Sequence, residues 1–93
     1  MSWEKSIIEF KSYLKIERSL SDNTIDSYLR DVRKLSDFSQ EKNLNELQIT
    51  RTEVKEFITD INKEGISARS QSRIISGIKA FYKYLILEDY LKV

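Results

Sequence analysis

The chain is 93 residues long with a formal net charge of +1, and 40% of its side chains are hydrophobic and 33% charged. That length holds one core, hence a single domain over residues 1–93, and the apolar share argues against disorder along the whole chain. Histidine and cysteine are both absent, which removes the commonest general base, imidazole and thiolate metal ligands, disulfides and the strongest common nucleophile, so most enzyme classes are disfavoured and no cofactor is expected.

Proline is absent and glycine occurs only twice. Apolar residues recur at helical spacing in long stretches, so the expected class is all-α, a compact bundle of four main helices. The segment Met1 to Phe10 alternates charged and apolar positions and lacks the apolar run of a signal peptide or membrane span. A soluble cytoplasmic protein without a membrane partner is expected.

The first helix spans roughly Ser2 to Glu17, with Trp3, Ile7, Phe10 and Leu14 on one stripe. After Arg18-Ser19-Leu20, the run Ser21-Asp22-Asn23-Thr24 offers side chains that accept from free amides at a helix start. The second helix begins there, buries Ile25, Leu29, Val32 and Leu35 with Tyr28 alongside, and ends near Phe38 to Gln40. Lys42 to Ile49 is a connection anchored by Leu44, Leu47 and Ile49.

Thr50-Arg51-Thr52-Glu53 matches a capping box, in which hydroxyl and carboxylate satisfy amides at the helix start reciprocally. The third helix buries Val54, Phe57, Ile58 and Ile61 and closes at Gly65, a residue that tolerates positive φ. Ser67 caps the fourth, from about Ala68 to Leu87, whose stripe is Ile74, Ile78, Phe81 and Leu85, widened by Ile75 and Tyr82. Glu88 to Val93 starts a possible short fifth helix, and the pattern stops so abruptly that the chain is expected to be a piece of a longer protein.

Little in the chain carries chemistry. Asp22, Asp26, Asp31 and Asp37 are spread around the second helix without a metal or acid-base pattern and are expected to be solvated. With only Gly65 and Gly77 there is no phosphate-cradling glycine loop. The tyrosines Tyr13, Tyr28, Tyr82, Tyr84 and Tyr90 are expected in core packing or at helix edges, because an unassisted phenol with a pKa near ~10 is a weak nucleophile.

Charge is unevenly distributed all the same. From Gly65 to Leu87 the cations are Arg69, Arg73, Lys79 and Lys83, with no acidic residue. At about 100° per residue, Arg69, Arg73, Ser76, Ala80 and Lys83 share a face opposite the apolar stripe. Small residues at Ser76, Gly77 and Ala80 allow close approach to a groove or phosphate chain, and the cations supply counterion-releasing contacts. The plain alternative is a solvated basic surface. On the second helix Asn23, Ser27, Arg30 and Lys34 form a comparable stripe, diluted by Asp26, Asp31 and Asp37. Asn23 and Thr24 sit where helix-start amides favour a phosphate oxygen, although capping alone also explains them.

These two segments carry a resemblance. Phe10, Tyr13 and Leu14, then Leu20-Ser21-Asp22-Asn23-Thr24-Ile25 with Tyr28, Arg30-Asp31 and Leu35, resemble the entry to the second helix of the N-terminal SAM-like, core-binding domain of tyrosine recombinases and phage integrases. Gly65-Ile66-Ser67 followed by Arg69, Arg73, Ile74, Ile78, Phe81-Tyr82 and Leu85 resembles that family's fourth helix, with Ser70 and Gln71 standing where a Thr-Ile pair is frequent. The likeness is closest to bacterial Xer-type and mobile-element members.

The resemblance implies a module that clamps one face of double-stranded DNA at a recombination half-site, with the second and fourth helices near the major groove. Candidate DNA contacts are Asn23, Thr24, Ser27, Arg30 and Lys34, together with Ser67, Arg69, Ser70, Arg73, Ser76, Gly77 and Lys83. It also implies that the arginines and tyrosine nucleophile of strand exchange belong to a separate catalytic domain, so this chain is no enzyme and none of its residues inherits a catalytic role. Other recombinase protomers are expected partners on DNA, with Trp3 and Tyr90 as candidate contacts unless both simply serve core packing, as large aromatics usually do, while the isolated domain is a monomer. The rival reading is a small helical protein-interaction module, which the near-neutral charge favours.

Overall fold

A computed structural model describes residues 2–88, which form four helices and no strand: α1 Trp3–Ile16, α2 Asp22–Glu41, α3 Arg51–Lys63 and α4 Ala68–Leu87. Each starts on the residue whose side chain suits a helix start. Ser2, Ser21 and Ser67 accept from the amides of Lys5, Thr24 and Ser70, satisfying one free donor at the start of α1, α2 and α4. At α3 the capping box forms, and Glu53 Oε1 accepts from the Thr50 amide at 2.8 Å and the Thr50 hydroxyl at 2.7 Å.

The reversals between helices use left-handed backbone. Gly65 has φ +81° just beyond α3, while Ser19 (φ 50°) and Asn43 (φ 58°) turn the chain after α1 and α2.

The apolar stripes meet in one cluster that draws on all four helices. Trp3, Ile7, Phe10 and Leu14 of α1 pack with Ile25, Leu29, Val32, Leu35 and Phe38 of α2, Phe57 and Ile61 of α3, and Ile74, Ile78, Phe81, Tyr84 and Leu85 of α4. Aromatic rings fill its centre: Phe81 lies edge-on to Phe10 at 5.3 Å, Trp3 stacks on Phe81 at 6.0 Å, and Phe38 meets Phe57 edge-on at 5.5 Å. Val54 and Ile58 on α3 are only half-buried, because α3 packs lightly on the rest while α2 and α4 form the most extensive helix pair.

The connection after α2 is held by polar groups as well as by half-buried Leu44, Leu47 and Ile49. Trp3 Nε1 donates to the Leu44 carbonyl at 3.0 Å, and the Tyr82 hydroxyl donates to the Glu46 carbonyl at 2.9 Å. The Ser6 hydroxyl donates to Glu46 Oε1 at 2.8 Å, and both side chains are fully buried. Burial, then the nearby Glu46 carboxylate, pushes the Tyr82 phenol far above its ordinary value.

Three expectations need correction or restriction. Asp31 is not solvated: it has no exposed surface, because it sits on the side of α2 that meets α4. Trp3 is no free contact for a neighbouring protomer, since it is buried against Phe81 and hydrogen-bonded to the connection. Of the possible fifth helix only Glu88, the C-cap of α4, is described, and Tyr90 lies outside the described residues. No helix among the described residues is long and apolar enough to cross a membrane.

Candidate nucleic-acid interface

The helical periods that bury Ile25, Leu29 and Val32 on α2, and Ile74, Ile78 and Phe81 on α4, turn both candidate stripes outward. On α2, Asn23 and Arg30 are exposed and Thr24, Ser27 and Lys34 half-buried. On α4, Ser67, Arg69, Arg73, Ser76 and Lys83 are exposed, and Ser70 is half-buried. Several of the hydroxyls already have work at the helix starts. Ser21 donates to the Thr24 hydroxyl at 2.9 Å and Ser67 to the Ser70 hydroxyl at 3.2 Å.

Gly77 departs from the expected arrangement. It is buried rather than exposed, and its open side faces Asp31, not solvent. Its missing side chain therefore lets α2 and α4 approach each other and leaves nothing there to approach a groove. Helical spacing carries the signal for this, since Gly77 stands three residues after Ile74, four before Phe81 and seven before Tyr84, all buried. Asp31 likewise precedes buried Leu35 by four and Phe38 by seven, so the same arithmetic places it inside.

Arg73 Nη2 donates to Asp31 Oδ1 at 3.1 Å, joining α4 to α2; the Asp31 side chain has no exposed surface, and the Arg73 side chain remains 45% exposed. Burial raises the Asp31 carboxyl above its ordinary value, while Arg73 most strongly, then Arg30 and Lys34, pull it back down. One cation of the α4 stripe thus contacts a buried carboxylate of α2, while Arg30 and Lys34 of α2 act on it through charge alone. Arg69 lies one turn before Arg73 on the exposed side. Lys83 lies ten residues beyond it, about 15 Å along the axis.

Among the described residues Arg30, Arg69 and Lys83 enter no ion pair; the other pairs are Arg33 with Glu4 at 3.3 Å and Lys42 with Glu56 at 3.5 Å, both solvent-exposed. The arrangement offers charge and hydrogen-bond donors to an anion but no nucleophile and base in contact. Among the described residues no cluster of acidic side chains is placed to hold a metal ion.

The described residues thus form a four-helix, all-α module with cationic side chains on two adjoining helices. Residues 7–89 match the family described as phage integrase, N-terminal SAM-like domain, and the chain belongs to that family. It is 36% identical over 85 residues to the tyrosine recombinase XerC of Leptospira interrogans, an alignment covering 90% of this chain and 27% of that protein. With the tyrosine recombinase XerD of Staphylococcus aureus it shares 35% identity over 88 residues, covering 94% of this chain and 30% of the relative. The XerD of Staphylococcus haemolyticus is 34% identical over the same length. The chain therefore spans less than a third of the length of these curated relatives. No solved structure matches it significantly.

Proposed function

We propose that the chain is the DNA-clamping module of a site-specific tyrosine recombinase or integrase, docking on duplex DNA at a recombination half-site in the cytoplasm. The observation that carries this reading is the Arg73–Asp31 pair, which joins the two cation-bearing helices and leaves the Arg73 side chain 45% exposed at their seam, with Arg30 exposed on α2. Arg69 and Lys83 extend the charge along α4. Exposed guanidinium and ammonium groups on neighbouring helices suit the closely spaced phosphates of a duplex, where each contact releases counterions.

Asn23, Thr24, Ser27, Ser67, Ser70 and Ser76 contribute hydroxyl, amide and helix-start donors beside those cations. Gly77 contributes only by letting the two helices close up. Strand exchange belongs to the remainder of the protein in which the module works, where other protomers are its neighbours on DNA. A net charge of +1 supplies little long-range attraction to DNA, so the isolated domain is a weak binder.

Amide-shift titration with mixed-sequence duplex DNA at low and high salt tests the reading. Shifts confined to the exposed faces of α2 and α4 and lost at high salt are expected. Shifts absent from both helices, or indifferent to salt, would overturn it and favour a protein-interaction module.

A further inference from the structure

Resting on the DNA-binding reading, we propose that Asp31 is a positioning residue that aims the Arg73 guanidinium at the duplex. Asp31 is a short, fully buried side chain on α2, and Gly77 of α4 closes over it, so it has little freedom to move. Its Oδ1 takes one Nη2 donor of Arg73 at 3.1 Å, while Oδ2 has no partner among the described residues. A guanidinium carries five N–H donors in a rigid fork. With one donor committed to a fixed carboxylate, the others are held in a defined direction, and the 45% exposed arginine presents them to solvent.

An arginine held in this way loses less rotamer freedom on binding than one that sweeps through solvent. Two effects of Asp31 on DNA binding oppose each other. Its negative charge repels phosphate, whereas its grip on Arg73 improves the fit. If Asp31 acted as a charge alone, neutralising it would tighten DNA binding. As a positioning residue, its loss weakens binding although no cation has been removed.

The experiment compares the 93-residue chain with its Asp31→Asn, Arg73→Lys and Arg73→Ala variants on mixed-sequence duplex DNA, over a range of salt. Asp31→Asn is expected to weaken binding by about tenfold, the equivalent of one charge-assisted hydrogen bond, with the salt slope unchanged. Arg73→Lys keeps the charge but loses the fork, and its affinity should fall close to that of Arg73→Ala. In an Arg73→Ala background, Asp31→Asn should no longer weaken binding.

Equal or tighter binding by Asp31→Asn, or wild-type binding by Arg73→Lys, overturns the positioning role while leaving the DNA-binding reading intact. A wild-type chain that fails to bind the duplex overturns both. If Asp31→Asn does not fold, Arg73→Lys decides alone, since the exposed half of Arg73 makes that replacement tolerable to the fold.

Discussion

A Cβ on Gly77 would stand 2.9 Å from Asp31 Oδ2 and 3.1 Å from Asp31 Cβ, so α4 reaches α2 as closely as it does because no side chain intervenes. Propensity and packing disagree about this position. Alanine in a helix interior is favoured over glycine by about 1 kcal/mol, whereas forcing a methyl group into a filled contact costs about 1–3 kcal/mol. The Cβ of Asp31 is fixed to the α2 backbone and cannot swing away, so packing wins. Gly77→Ala should lower the unfolding free energy by about 1–2 kcal/mol in urea titration; a stabilised variant would show that the two helices are not in contact there.

Asp31 and Glu53 should impose opposite pH dependences. Burial leaves the Asp31 carboxyl above its ordinary 3.8, so the folded chain holds that proton more tightly than the unfolded chain does. Its contribution to stability is complete below the unfolded value and is lost as pH rises through the raised folded value. Glu53 is the reverse. Hydrogen bonds from the Thr50 hydroxyl and amide hold it below its ordinary 4.5, so its contribution is present above the unfolded value and lost as pH falls through the folded one. Urea midpoints measured from acid to neutral pH should lose the first component in Asp31→Asn and the second in Glu53→Gln. Wild-type profiles in both variants would refute the assignment.

Ser6 is the hydrogen-bond donor to the buried Glu46 side chain, whose Oε2 has no partner among the described residues. Ser6→Ala would leave both carboxylate oxygens without a donor, at a cost of about 1–3 kcal/mol. The loss should be read as a lower urea midpoint with an unchanged m value. A change below about 0.5 kcal/mol would mean that the carboxylate finds another donor readily.

Arg69 and Lys83 are exposed and enter no ion pair among the described residues, so replacing them leaves the fold intact. If each meets a phosphate, Arg69→Ala and Lys83→Ala should each reduce the slope of log affinity against log salt by about 1. Lys11→Ala, on the exposed side of α1, should leave the slope unchanged. Wild-type slopes in all three variants would show that neither Arg69 nor Lys83 meets a phosphate.

The four helices were readable in the chain because their determinants are local. Ser2, Ser21, Thr50 and Ser67 act on amides within three residues, and the apolar stripes repeat with the helical period. The outward direction of Arg30, Arg69, Arg73 and Lys83 follows from the same period. Helical spacing puts Asp31 and Gly77 on the buried side of their helices although a carboxylate or a glycine does not announce burial by type, and Glu46 stands in a connection that no helical period governs. Each became explicable only with the partner that accommodates it: Arg73 for Asp31, Asp31 for Gly77, Ser6 for Glu46.

By itself the sequence determined an all-α chain, the ends of its helices, the absence of histidine and cysteine chemistry, and two outward cationic stripes. Tertiary structure alone decided that Arg73 of α4 pairs with a buried carboxylate of α2 and that Gly77 meets that same Asp31 across the helix seam. The physical reason is range. Caps and helical periods act over three or four residues, whereas the Arg73 to Asp31 pair spans 42 positions and exists only once packing has brought α2 and α4 together.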